Sequence, residues 1–337
     1  MARHARRRSQ QNSAATSCAV FALPARSTMT PPHAPRRLVI ATRESALALS
    51  QARHVQTRLQ ALYPRAAIEI LVQPRAARAS DRSPGNGDGH ARELEAALAE
   101  GRADVLVHAL KDVPLEVADE FVLGAIEARD DARDALIAMR YGSLGSLPHA
   151  AIVACGSACG ELQVRERFPS LDVRGFAGDS SEAGQALREG RFAAMVLPVA
   201  DAKALGLGDF VCELIDPADI LPSPGQGVLA LECRADRADV VAALAPLNDI
   251  ATQLAAMCER GFARALAGGS RTPLAAHATW QEGSLWLRGL IGRHDGTRVI
   301  RGERAREIVD IGDAYELGAD LADELLTHGA GRLIVND

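Results

Sequence analysis

The sequence predicts an α/β fold in which two α/β units are followed by a smaller α+β unit. Three observations carry that expectation. Short apolar runs alternate with helix-period segments from Leu38 to about Asp131, the alternation restarts beyond Asp131, and after Leu266 it gives way to paired strand-like runs and a closing helix. Strands alternating with helices at this spacing indicate parallel pairing within a unit.

The elements follow in order. Leu38-Val39-Ile40-Ala41 is an uninterrupted apolar run, as in a strand buried on both faces. Ala46 to Leu62 repeats apolar residues at helical spacing (Leu47, Val55, Leu59 and Leu62), with Ser45 ahead of it. Ile68 to Val72 alternates as a strand. Gln73 to His90 is polar, rich in Gly, Ser and Arg, and carries no period. A helix over Ala91–Glu100 and a strand over Val105–His108 complete the first unit. In the second, strands are expected at Ala151–Val153, around Val173 and at Ala194–Leu197, with helices over Glu161–Arg167 and Ala183–Glu189. Leu221 to Gly227 is a turn-rich crossing, followed by a strand over Val228–Glu232 and a long helix over Asp249–Leu266. In the tail, Leu285–Ile291 and Thr297–Gly302 flank Asp295-Gly296, a strong hairpin signal, and a final helix spans Asp313–His328. No fixed-period repeat is visible.

Composition narrows the function. The 337 residues are 47% hydrophobic and 24% charged, enough for two or three domains with their own cores. No run of about 18 uncharged apolar residues exists, so no membrane span is expected. The net charge is −5, yet residues 1–37 hold seven Arg and no acid, which leaves −12 on the remainder. So acidic a body argues against nucleic-acid binding, which requires a phosphate-neutralising surface. It also makes any anionic substrate depend on locally placed arginine. Only Lys111 and Lys203 are lysines. The Arg- and Ser-rich residues 1–35 read as a disordered tail or as sequence ahead of a start at Met29, in preference to a targeting segment. Six cysteines (Cys18, Cys155, Cys159, Cys212, Cys233 and Cys258) make no disulfide framework, and Cys155 and Cys159 lack the spacing and the His partners of a metal site.

Two short segments carry chemistry. His108-Ala109-Leu110-Lys111-Asp112-Val113-Pro114 follows a strand, and polar residues at the carboxyl end of a parallel strand face the crevice where open sheets bind ligands. Asp112 beside Lys111 is either a carboxylate with a working cation or a surface ion pair. Arg43-Glu44-Ser45 also follows a strand and opens a helix. There, an Arg and free backbone N–H groups suit a carboxylate, or Ser45 is simply the helix cap.

Read together, Ala41–Leu49, Gly101–Asp104 leading into His108–Pro114, Leu221–Glu232 with Pro224-Gly225-Gln226-Gly227, and Gly268-Gly269 before Pro273 resemble the porphobilinogen deaminase (hydroxymethylbilane synthase) family of tetrapyrrole and heme biosynthesis. The resemblance runs from about Leu38 to Leu333. It implies two α/β domains like those of periplasmic binding proteins, covering 36–130 with 226–245 and 131–225, and a small α+β domain over 246–337. A cysteine of the third domain would hold a dipyrromethane cofactor by a thioether, and four porphobilinogen units would be condensed with loss of ammonia. The resemblance also implies a cytoplasmic monomer whose partner is a small anionic pyrrole, with no nucleic acid, membrane or metal. Asp112 matches the catalytic Asp, which would stabilise cationic charge as ammonia departs. Arg43, Ser45 and Lys111 match cofactor- or substrate-binding positions, and Gln226 matches the crossing motif and is placed with them.

Several positions depart from the family pattern. Ser270 stands at the attachment Cys. The family's Thr-Ser-Ser-Leu-Arg-Arg reads Cys155-Gly156-Ser157-Ala158-Cys159-Gly160, without either arginine. The stretch Ala177–Ala183 lacks two more, Lys203-Ala204 replaces Lys-Arg, and a Gly-Gly-Lys-Gly loop is shortened to Pro84–Gly89. A serine hydroxyl is a far weaker nucleophile than a thiolate. Each charge-assisted bond contributes about 1.5–3 kcal/mol, so losing three costs on the order of a thousandfold in affinity. The expectation is a divergent paralogue without bound dipyrromethane and with weak or no deaminase activity. The alternative is an active hydroxymethylbilane synthase.

Overall fold

A computed structural model describes residues 34–73, 94–176, 180–266 and 272–334. Residues 1–33 of the expected tail, and most of the aperiodic 73–90 stretch, lie outside them. The chain divides into two compact units. One holds the residues up to Ala128 with Val228–Leu254 and Ile308–Glu316; the other holds Arg129–Gly227, Ala255–Glu307 and the remainder from Leu317.

The first unit begins with β1 (Arg37–Arg43), whose Leu38 to Ala41 are all buried, as the apolar run requires. Helix α1 (Ala46–Leu62) lays Ala48, Ala52, Val55 and Leu59 onto the sheet. Strand β2 (Ala67–Gln73) pairs with β1 in parallel from Arg37↔Ala67 to Arg43↔Gln73. The described part of the next helix, α2, covers residues 94–99. It leads to the fully buried β3 (Val105–Ala109) and then to β4 (Phe121–Ile126), which the sequence pattern did not reveal.

In the second unit the strands are β5 (Asp134–Ala138), β6 (Ile152–Cys155), β7 (Asp172–Gly175), β8 (Ala194–Pro198) and β9 (Val211–Leu214). Its helices are α3 (Ala158–Arg167), α4 (Ser180–Arg188) and α5 (Val199–Ala204). Helix α3 starts three residues before the expected Glu161, because Ser157 caps it by accepting the Gly160 N–H at 3.1 Å. The chain then returns to the first unit as β10 (Leu229–Arg234) and α6 (Ala238–Leu244).

The first sheet has the order β2-β1-β3-β10-β4 and the second β7-β6-β8-β5-β9. These are the same arrangement, with β10 and β5 in equivalent places. Purely parallel pairing is thereby corrected. β10 runs antiparallel to β3 and β4, and β5 antiparallel to β8 and β9. The reason is topological: each of these strands enters its sheet directly from a crossing segment, at the edge where the parallel strands end. Both faces of each sheet are covered. Leu38, Ile40 and Val107 pack with Val55 and Leu244, while Val39, Ala41 and Leu106 pack with Leu94 and Leu98. In the second sheet Val153 and Val196 meet Val164, and Ala154 and Met195 meet Ala183 and Leu187.

After α7 (Ile250–Ala265), strands β11 (Leu274–Gln281), β12 (Ser284–Gly292) and β13 (Val299–Glu307) form an antiparallel meander, followed by α8 (Ile311–Thr327). The Asp295-Gly296 turn forms as expected, with Gly296 at φ +74° and Asp295 accepting from both Thr297 N and Oγ1. The β11–β12 turn uses Glu282 at φ 49° and Gly283 at φ +86°. Glutamate is uncommon in that conformation, which is why the turn was not legible. Helix α8 meets α7 at Gly318, where an added Cβ would stand 2.0 Å from the Cys258 carbonyl oxygen and 2.6 Å from the Phe262 nitrogen. Backbone cannot yield as a side chain does. Gly318→Ala is therefore expected to lose about 3 kcal/mol, read as a lower denaturant midpoint; a midpoint equal to the parent's would contradict the close crossing.

Candidate functional site

The first unit presents one edge built from strand ends. Because β1 and β3 are adjacent and parallel, Arg43-Glu44-Ser45 and Leu110-Lys111-Asp112 leave the sheet on the same side. Strand β10 enters from that side, and the Leu110 N–H donates to Val228 O at 2.9 Å. Lys111 and Asp112 sit on a single 3-10 turn, closed by Val113 N to Leu110 O, with Lys111 half-buried and Asp112 exposed. Arg43 is half-buried, and Ser45 is exposed and accepts the Ala48 N–H at 3.2 Å. The side chain of Ser45 is thus a helix cap. Thr42, fully buried, fixes the same turn by donating to Ala48 O.

His108, first residue of the motif, does not reach the edge. It is buried in the sheet, with Nε2 3.0 Å from Glu232 Oε2 but not aligned for a hydrogen bond. Glu127, which follows β4 at this edge, was not read from the sequence. Its buried carboxylate is 2.9 Å from Arg58 Nη1 and 3.3 Å from His54 Nε2, two α1 residues one turn apart.

The second unit presents the matching edge at the ends of β6, β7 and β8. Cys155 is there but buried, and burial pushes its thiol well above the ordinary range, with Glu161 and Asp134 adding to the effect. Cys159 is also buried. Its sulfur lies 2.9 Å from Ser223 Oγ, and it packs with Leu162, Leu221, Ala275 and Leu290. Two described cations near this edge, Arg133 and Lys203, face carboxylates of the crossing segment. Arg133 is hydrogen-bonded to Asp131, which holds the Asp131 carboxyl below its usual range. Lys203 lies 3.4 Å from Asp130. Where β7 ends, Gly175 leaves room for Glu161, whose Oε1 would be 2.6 Å from an added Cβ.

Gln226 is fully buried in the crossing. Its Nε2 donates to Ala132 O at 2.8 Å and to Asp134 Oδ1 at 3.0 Å, and its Oε1 accepts from Ser223 N. Beside it Glu259, also fully buried, accepts from Arg129 Nη2 (2.7 Å), Gly225 N (2.7 Å) and Ala278 N (2.8 Å). Nothing in the helical pattern around Glu259 pointed to this cluster, since its partners are distant in sequence. Ser270, Ala177–Asp179 and Pro84–Gly89 lie outside the described residues.

The family model for the porphobilinogen deaminase dipyromethane cofactor binding domain matches residues 38–242, and that for the porphobilinogen deaminase C-terminal domain matches 253–327. The chain belongs to the porphobilinogen deaminase family. A porphobilinogen deaminase of Paraburkholderia phytofirmans is 44% identical over 305 residues, covering 89% of this chain and 88% of the relative. One from Paraburkholderia phymatum is 43% identical over 303 residues, covering 89% and 93%. Among solved structures, the methionine binding protein MetQ aligns with a TM-score of 0.42 and 13% identity over 63% of this chain and 89% of that one. Within the family frame Asp112, Lys111, Arg43 and Ser45 occupy one sheet edge. In the second unit Cys159 and Gly160, at the start of α3, are both buried.

A thioether-linked cofactor requires an accessible sulfur that ionises. Among the described residues, burial raises the thiols of Cys155, Cys233 and Cys258, that of Cys233 to about 12. Cys212 is exposed but lies beside Ala138, at the opposite end of the second sheet. The described cysteines therefore do not fit an attachment role. No single described helix is long and apolar enough to cross a membrane.

Proposed function

We propose that this chain is a divergent member of its family, with weak or no deaminase activity, that keeps the Asp112 edge and has lost tight binding of polyanionic oligopyrroles. The observation that carries the reading is the state of the second edge. The arginine positions hold a packed, hydrogen-bonded Cys159 and a buried Gly160, while Arg133 and Lys203 face Asp131 and Asp130. A growing pyrrole chain gains carboxylates at each addition, and every one requires a cation or a donor in the site. Ser270 at the attachment position, with the thiols of Cys155, Cys233 and Cys258 raised by burial, supports a protein without covalent dipyrromethane. Its ligand would be a small anionic pyrrole, bound by a cytoplasmic monomer that engages neither nucleic acid nor membrane.

The alternative, an active hydroxymethylbilane synthase condensing four porphobilinogen units with release of ammonia, draws on the exposed Asp112 and on 44% identity to a porphobilinogen deaminase. Intact-mass measurement separates the two. Purified protein is expected to have its sequence mass before and after incubation with porphobilinogen. A stable mass increase corresponding to a dipyrromethane, with porphyrin formed from the product on oxidation, would establish the alternative.

A further inference from the structure

Away from both edges, the second unit holds a cavity of about 290 Å³ between the last turns of α3, the 217–221 segment and one face of β12–β13. That is the lower end of the range for cavities that hold small molecules, roughly 300–1,000 Å³, so its occupant is small. Leu221, Leu290 and Pro217 supply an apolar wall.

Three guanidinium groups line this cavity, and two are already engaged. Arg167 donates to Asp219 Oδ1 at 2.5 Å and to its carbonyl at 2.9 Å, and Arg301 makes a two-pronged pair with Glu166. Arg288 differs. Its Nε is buried without a hydrogen-bond partner, its guanidinium stacks 4.9 Å from the Trp286 ring, and among the described residues no carboxylate pairs with it. His277, directly across the ladder on β11, adds no second cation, because burial lowers its pKa and favours the neutral ring. On the other side, in register on β13, stands Glu303. It is exposed, lines the same cavity and has no ion pair among the described residues.

An Arg and a Glu that face one another across a ladder, with Cβ atoms about 4.5–5.5 Å apart, ordinarily pair. Here both border a cavity instead. We infer that this cavity binds a small zwitterion with an apolar body, an α-amino acid of the leucine or methionine kind. Its carboxylate would rest on Arg288, its ammonium on Glu303, and its side chain on Leu221, Leu290 and Pro217. A dicarboxylate would press one anion against Glu303, and a simple amine would leave Arg288 uncompensated. An electroneutral ligand with its charges a few ångströms apart satisfies both groups. The site requires nothing of the deaminase reaction, so either reading stands or falls alone.

Trp286 provides the readout. The chain has two tryptophans, so a Trp280→Phe protein reports on Trp286 alone. Titrating it with L-leucine, L-methionine or L-phenylalanine should give a saturable fluorescence change with at least one of them, matched by calorimetry on the unmodified chain. For the ligand that binds, the analogues lacking the amine or the carboxylate should bind at least about tenfold more weakly, and Arg288→Gln and Glu303→Gln should each weaken binding by a similar factor. Glu303→Gln changes an exposed position, so it decides the matter if Arg288→Gln does not fold. Three results would overturn the inference: no saturable signal with any probe up to about 10 mM, fragments binding as tightly as the whole amino acid, or parental affinity in Glu303→Gln.

Discussion

Glu259→Ala is expected to destabilise the second unit by about 3–5 kcal/mol, the range for breaking a buried ion pair by removing one partner. The carboxylate is fully buried and accepts three hydrogen bonds at 2.7–2.8 Å, from Arg129, Gly225 and Ala278. These donors belong to the first crossing, the second crossing and β11, so one side chain ties three separate segments. Its removal takes the carboxylate from an Arg129 that is only 13% exposed, and takes the acceptor from two buried N–H groups. Each such donor left without an acceptor costs about 1–3 kcal/mol. Glu259→Gln keeps the volume and one acceptor oxygen, and should lose less. The conventional remedy for a broken ion pair, replacing both partners by apolar residues, should fail here. Arg129→Met with Glu259→Met still leaves Gly225 N and Ala278 N without an acceptor. Denaturant unfolding of the four proteins measures this directly. A loss below about 1 kcal/mol in Glu259→Ala would show that water or backbone movement satisfies the cluster.

Glu259 also marks where sequence reading ends. Local features were legible because their causes are local. Leu38 to Ala41 became a buried strand through an unbroken apolar run, α1 began where Ser45 caps it, and Asp295-Gly296 closed the β12–β13 hairpin. The antiparallel insertion of β10 and β5 was not legible, because it is set by how the crossings enter each sheet and neither strand differs in composition from its parallel neighbours. Strand β9 (Val211–Leu214) is short and alternates between half-buried and exposed residues, so it offers no apolar run. At the candidate site, Asp112 and Arg43 were found because each follows a strand that the pattern reveals. The burial of His108 beside Glu232, and of Glu127 beside Arg58 and His54, was hidden because each acid lies 69 or more residues from a basic partner or is paired across strands. Cys159 first reads as a missing arginine. The structure adds that it is a core residue, hydrogen-bonded to Ser223 and closed over by Leu290.

On the reading proposed above, that last point governs what deaminase chemistry would require. Ser270→Cys alone is expected to leave turnover of porphobilinogen about a thousandfold or more below that of the Paraburkholderia phytofirmans porphobilinogen deaminase, assayed side by side as porphyrin formed. The substitution supplies a sulfur and no positive charge. Returning arginine to position 159 would force a guanidinium into a site packed by Leu162, Leu221, Ala275 and Leu290. At position 160, even a Cβ comes within 3.0 Å of Ser157 Oγ, the cap of α3. Releasing Lys203 yields little: it and Asp130 form an exposed pair at 3.4 Å, worth less than about 1 kcal/mol, so Asp130→Asn added to Ser270→Cys should change activity only a few-fold. A protein brought to the relative's full rate by Ser270→Cys alone would mean that the second edge never needed its arginines, and the electrostatic account of this chain would have to be abandoned.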